Sequence, residues 1–152
     1  MSSSHFQGGH PVMVDVGAKP VTLREAVAEA VVTVNQAALD ALAEGAGKGD
    51  AVAVAELAGI MGAKRTSDLV PLCHPLALTH VSVTGSIATG SVRFEAHCAT
   101  SGQTGVEMEA LVAASTAALT LYDMLKSVDR SMSMTTRLIA KSGGRSGTWR
   151  RE

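Results

Sequence analysis

The stretch KRTSDLVPLCHPLALTHV, residues 64–81, carries Pro71 and Pro75 inside an otherwise apolar run. Proline fixes φ and removes a backbone donor, so neither a helix nor a central strand passes through undisturbed. The chain must therefore divide here, with one set of elements ending before the elbow and another beginning after it. The same elbow holds Cys73 and His74 in a rigid, apolar setting.

Upstream, Asp50 precedes AVAVAELAGIMGAKR and predicts an N-capped helix that the first proline terminates. A shorter helix is expected over 35–44, closed by the glycine-rich EGAGKGD. Segment 21–34, VTLREAVAEAVVTV, admits two readings. Leu23, Ala26, Val27, Ala30, Val31 and Val34 have helical spacing, whereas the V-x-V ending suits a strand. Downstream, strands are expected over 76–88 and 91–100 with a turn at Thr89-Gly90. In SVRFEAHCA, Val92, Phe94, Ala96 and Cys98 alternate with Arg93, Glu95 and His97, the pattern of a half-buried strand. A long helix is expected from Gly105 to Asp129, then a last strand in MSMTTRLIAKS; MVDV at 13–16 reads as a short extended piece.

With 21–34 as a strand the order becomes β-α-α-β-β-α-β. That is an α+β, ferredoxin-like split βαβ sandwich, an antiparallel sheet with helices packed on one face. The global fit favours strand over local propensity. A single domain is expected over 12–147, between a flexible Ser/Gly/His-rich 1–11 and a flexible tail, 148–152.

Composition narrows the function. A net charge of −1 leaves no diffuse basic field for nucleic acid, and 3% aromatic residues are too few for a base-stacking platform. An anionic ligand must be met by local lysines and arginines. Cys73 and Cys98 form neither a disulfide framework nor a CxxC zinc pattern. MSSSHFQGGH lacks the apolar core of a signal peptide and no apolar run approaches the ~20 residues of a membrane span. The cytoplasm is the expected location, with no membrane partner.

The long helix carries most of the candidate chemistry. TGVE, Thr104 to Glu107, matches a capping box, with Thr104 as N-cap and Glu107 reaching back. Glu109, Thr116, Thr120 and Asp123 fall on one face at near-multiples of the helical turn. Exposed faces usually carry Lys, Glu and Arg, so a stripe of Thr and Ala points to a pocket or an interface. Few charges between Val112 and Tyr122 imply burial beyond one subunit's core, hence a homo-oligomer.

Asp123 and Lys126 can meet at i, i+3, either as a surface ion pair or as an acid/base pair. Glu109 and Asp123 are separated by roughly 21 Å of helix, so one ligand meets both only if it is long or if neighbouring subunits share the site. Lys48, in a glycine-rich loop before a helix N-terminus, is suited to an anion, although G-x-x-x-x-G-K-[ST] is absent. Lys141 with SGGRSG makes a second such region. Cys73, His74, His80, His97 and Cys98 lack the close paired spacing of a metal site. Cys73 and His74 are adjacent and point apart on an extended chain, which excludes a nucleophilic dyad. What remains is a rigid loop presenting one histidine and backbone groups to a ligand.

AKRTSDLVPLCHPLALTHV, TGVEMEALVAASTAALTLYDMLK and AKSGGRSG, with MVDV and KGD, resemble the cyclic pyranopterin monophosphate synthase family, the C protein of molybdenum-cofactor biosynthesis. The likeness runs from Met13 to Gly147 in long ungapped motifs. It implies a ferredoxin-like subunit in a hexamer, a trimer of dimers with pockets at subunit interfaces. It also implies a lyase acting on a small molecule, 3′,8-cyclo-7,8-dihydro-GTP, to give cyclic pyranopterin monophosphate and diphosphate. By matching, the catalytic residues fall on Asp123, Lys126 and Lys48. Substrate contacts fall on Leu72, Cys73, His74, Met108 and Glu109, with Glu107, Lys141 and Arg24 as further pocket members. Arg145 stands where some relatives carry lysine. The residues call for no cofactor; Mg²⁺ is the one companion a triphosphate could bring. Competing classes are a nucleotide-sensing module, which would lack Asp123 or the lysines, and a metal-dependent nucleotide hydrolase, which would need a denser carboxylate or histidine cluster.

Overall fold

A computed structural model describes residues 5–45 and 50–152, so Lys48 and its glycine loop lie outside the described residues. Segment 21–34 is a strand, β3 (Thr22–Thr33), and it lies at the centre of the main sheet. It follows a small ribbon of β1 (Phe6–Gln7) and β2 (His10–Pro11). Its helix-like spacing has a simple origin. Ala26, Ala28, Ala30 and Val32 bury one face against helices, and half-buried Val27 and Val31 make the other face apolar too. A central strand that is apolar on both faces loses the clean alternation that identifies a strand.

Two helices follow, α1 (Gln36–Glu44) and α2 (Ala51–Ala63). The Asn35 side chain accepts from the Ala38 amide and caps α1. As expected, Asp50 caps α2 by accepting from the amides of Val52 and Ala53. One short turn of helix, α3 (Thr66–Leu69), leads into the elbow. Strand pairing resumes at β4 (His80–Ala88), later than position 76, and Leu76 and Leu78 ahead of it are partly buried against the core. Gly90, at φ +73°, makes the tight turn into β5 (Ser91–Gly102). Then come α4 (Glu107–Leu125), β6 (Ser133–Ser142) and β7 (Trp149–Arg150). All neighbours in the sheet order β4-β5-β3-β6-β7 are antiparallel. Its first four strands have the ferredoxin-like arrangement.

Helices α2 and α4 cover one face of the sheet. They approach closely because their contact is built from small residues. A Cβ on Gly59 would lie 2.8 Å from the Ala113 carbonyl oxygen, and one on Gly62 would press on Thr116. Ala110, Ala113, Ala114, Ala117 and Ala118 are fully buried along α4. By length and composition α4 could cross a membrane, contrary to the expectation that no run would, but its buried alanine face packs as a core helix. On the opposite, uncovered face, Glu29 sits under Arg93 and Arg137, accepting from their Nε atoms at 2.5 and 2.6 Å.

Two local expectations are corrected. Thr104 does not cap α4. The N-cap is Val106, with no side-chain capping bond, and Glu107 is the first helical residue. Its carboxylate instead folds over Gly105, in space that a side chain there would occupy. MVDV forms no ladder and runs as irregular chain. Residues 6–7 pair with 10–11 as the β1-β2 ribbon, and β7 pairs with β6.

Candidate functional site

The elbow begins where α3 ends: the Val70 amide bonds to Thr66 and the Cys73 amide to Val70. Leu72, Cys73 and His74 then line an open cavity of about 400 Å³, with Met108 from the start of α4 on the facing wall. The MVDV segment closes another side through Val14 and Val16. It is tied to the elbow by one bond, His74 Nε2 to the Val14 carbonyl oxygen at 2.7 Å. A carbonyl oxygen only accepts, so Nε2 carries the proton and Nδ1 is the ring atom left for a ligand. Pairing across sixty residues of chain thus fixes both the tautomer and the ring orientation.

Glu109 is 2% exposed, and its Oε2 has no hydrogen-bond partner among the described residues. Burial, aided by the charge of Glu107 and opposed by a bond to its own backbone amide, raises its carboxyl to a pKa of about 7. An unpartnered buried carboxyl is costly unless a ligand completes it. Cys73 is a poor nucleophile here: burial raises its thiol, and the charges of Glu109 and Glu107 add to this. Cys98, on the helix-facing side as the alternation predicts, is pushed up to about 12 by burial and by Glu109. Both cysteines are free.

A second cavity, of about 610 Å³, is lined by Lys19, Thr22, Arg24 and the loop residues Gly144 and Arg145. Arg24 is 8% exposed and its Nε lacks a partner among the described residues, as does the buried hydroxyl of Thr22. The glycine pair is required by this packing. Gly144, at φ +74°, lies directly on the Arg24 guanidinium, and Gly143, at φ +91°, on the Leu23 carbonyl. Lys19 lines both cavities, and Asp15 shares the second with it, Arg24 and Arg145. Sequence reasoning missed Lys19; its only signal was a position between MVDV and the strand bearing Arg24. Lys141 is on the same face of the sheet as Arg24, opposite Ala26, and its ammonium bonds to Ser146.

Asp123 and Lys126 do meet, with Lys126 Nζ 2.7 Å from Asp123 Oδ1, both largely exposed. They stand at the far end of α4, roughly 21 Å along the helix from Glu109. One chain therefore unites the elbow, Met108, Glu107, Glu109 and Arg24 at one end, and leaves Asp123 and Lys126 at the other.

Fold and site define a ferredoxin-like α+β subunit with an open cavity at the elbow and a second one beside Arg24. The MoaC family model matches residues 13–144. Among relatives, a cyclic pyranopterin monophosphate synthase of Roseiflexus sp. is 57% identical over 93% of this chain and 92% of the relative. Proteins of the same name from Rhodospirillum rubrum and Chloroflexus aurantiacus are 56% and 55% identical, over 96% and 99% of this chain and 91% and 99% of their own. The chain belongs to the MoaC family.

Proposed function

We propose that this chain acts as a cyclic pyranopterin monophosphate synthase, a lyase of molybdenum-cofactor biosynthesis that converts 3′,8-cyclo-7,8-dihydro-GTP to cyclic pyranopterin monophosphate and diphosphate. The observation that carries the reading is a family match over 13–144 combined with a cavity that brings Leu72, Cys73, His74 and Met108 together. The elbow and Glu109 take the base and ribose end. The two prolines lower the entropy cost of holding the loop, so His74 meets the ligand without reorganisation. Arg24, Lys19, Arg145 and Lys141 take the triphosphate, whose charge suits the Arg24 guanidinium with its buried, unpartnered Nε. We assign no resident cofactor, with Mg²⁺ entering only as a companion of the triphosphate.

Asp123 and Lys126 serve the chemistry. Lys126 donates a proton to a leaving ring nitrogen, and Asp123 orients it or takes the proton of the attacking hydroxyl. That hydroxyl oxygen bonds to the α-phosphorus as the bond to the β-phosphate breaks and diphosphate leaves. Lys48, on its glycine loop, follows the charge that builds on the departing group. Because these groups lie at opposite ends of α4, the complete site takes the two ends from two copies, in a homo-oligomer that we take to be a hexamer. Exposed Leu57, Met61, Leu69 and Leu119 on the helical face suit subunit contact. We place the enzyme in the cytoplasm.

The test is Asp123→Asn, Lys126→Ala and Lys48→Ala, with binding followed by calorimetry and turnover by fluorescence of the oxidised pterin. Asp123→Asn should still bind the cyclised nucleotide while losing most turnover. Near wild-type turnover would reduce the carboxylate to an ion-pair partner and refute the mechanism.

A further inference from the structure

Strand β6 pairs with β3 through a bulge. Arg137 lies opposite Glu29 and Leu138 opposite Ala28, but the next ladder partner, Ala140, lies opposite Val27, so Ile139 is the extra residue. Side chains alternate faces along a strand, and one inserted residue reverses every assignment beyond it. Without the bulge Lys141 would lie opposite Glu25, on the uncovered face with Arg137 and Glu29. With it, Lys141 lies opposite Ala26, on the face that carries Arg24. The bulge thus decides which side of the sheet receives the lysine.

One residue grips that bulge. The Arg151 amide donates to the Ile139 carbonyl oxygen at 2.8 Å, and its side-chain Nε donates to the Leu138 carbonyl oxygen at 2.7 Å. Two consecutive carbonyls, one belonging to the bulged residue, are therefore held by a single arginine. Its guanidinium carbon also lies 5.7 Å from the centre of the Trp149 ring, and Trp149 pairs with Lys141 itself. The exposed segment 149–151 thus makes its contacts where the face of Lys141 is chosen.

We propose that Arg151 is a positioning residue: by clamping the bulge at Ile139 it keeps Lys141 on the Arg24 side of the sheet, where a polyphosphate is met. The inference rests on the proposed reading of Arg24 and Lys141 as anion ligands. Arg151 itself acts through the carbonyls it holds, not through its charge. Glutamine places its amide nitrogen as far from the backbone as arginine places Nε, so Arg151→Gln retains the donor and removes the charge.

The experiment measures inorganic tripolyphosphate binding to the full chain by calorimetry, for wild type, Arg151→Ala, Arg151→Gln, Lys141→Ala and the Arg151→Ala/Lys141→Ala pair. Melting temperatures of the same preparations confirm folding. A chain shortened after Thr148 is a second route to the same loss. Arg151→Ala should weaken binding by about tenfold, the scale of one charge-assisted contact. Arg151→Gln should keep most of the affinity, and the double variant should be little weaker than Lys141→Ala alone. In turnover, Arg151→Ala should raise KM more than it lowers kcat. Equal losses for Arg151→Ala and Arg151→Gln, additive losses in the double variant, or unchanged binding by Arg151→Ala while Lys141→Ala binds weakly would each overturn the clamp alone. Unchanged binding by Lys141→Ala would overturn the anion pocket and the clamp with it.

Discussion

Replacing Glu109 by glutamine isolates the cost of a buried, unpartnered carboxyl. Its pKa of about 7 stands against an ordinary 4.5, so between those values the folded state holds a proton that the unfolded chain releases. Stability is then highest below pH 4.5 and is lost as pH rises through 7. The difference of about 2.5 pH units corresponds to about 3 kcal/mol, an upper bound because unfolding measurements also sense local opening. Glutamine has the same shape and no charge to bury. Relative to wild type, Glu109→Gln should therefore be nearly neutral at pH 4.5 and more stable by up to about 3 kcal/mol at pH 8.5. That equals a melting-temperature gain of about 6–12 °C for a chain of this size. The assay is urea unfolding of both proteins at fixed protein concentration from pH 4.5 to 8.5, because an oligomer's stability depends on concentration. If the two stability curves run parallel over that range, Glu109 is ionised in the folded protein and the reasoning fails.

Glu29 behaves in the opposite sense. Burial would raise its carboxyl, but hydrogen bonds and charge from Arg93 and Arg137 outweigh this and hold it below the ordinary range. Its contribution is present above the unfolded value near 4.5 and is lost as pH falls through the lower folded one. Glu29→Gln should cost about 2 kcal/mol at pH 7, with the deficit vanishing in acid, as read from denaturant midpoints across pH. Asn35→Ala removes the α1 cap and should cost about 1 kcal/mol, a fall of about 2–4 °C by calorimetry, without altering turnover. His74→Ala should lower turnover about tenfold or more with the fold intact by circular dichroism, whereas Cys73→Ser should be mild because that residue contributes mainly shape and backbone.

Much of this architecture can be read from local chemistry. Asp50 ahead of an apolar run, alternation through Val92, Phe94, Ala96 and Cys98, and the break at Pro71 and Pro75 are statements about neighbouring residues. Such signals need no partner across the fold. The i, i+3 meeting of Asp123 with Lys126 is of the same kind, and the structure has it. The capping-box signature at Thr104 is also local, yet it failed, because Glu107 folds over Gly105 instead of reaching back to a capped turn.

What tertiary structure alone decided depends on contacts between distant segments. The proton on His74 Nε2 is set by a carbonyl sixty residues earlier in the chain. Lys19 lines two cavities only because its segment lies between the elbow and the glycine loop. Glu109 is a surface acid or a buried carboxyl with a raised pKa according to what covers its turn of α4, which helical periodicity does not encode. The face of Lys141 turns on one unpaired residue in a strand whose composition gives no sign of a bulge. Local propensity acts over a few residues, whereas burial, register and long-range hydrogen bonds exist only once the sheet has closed around β3.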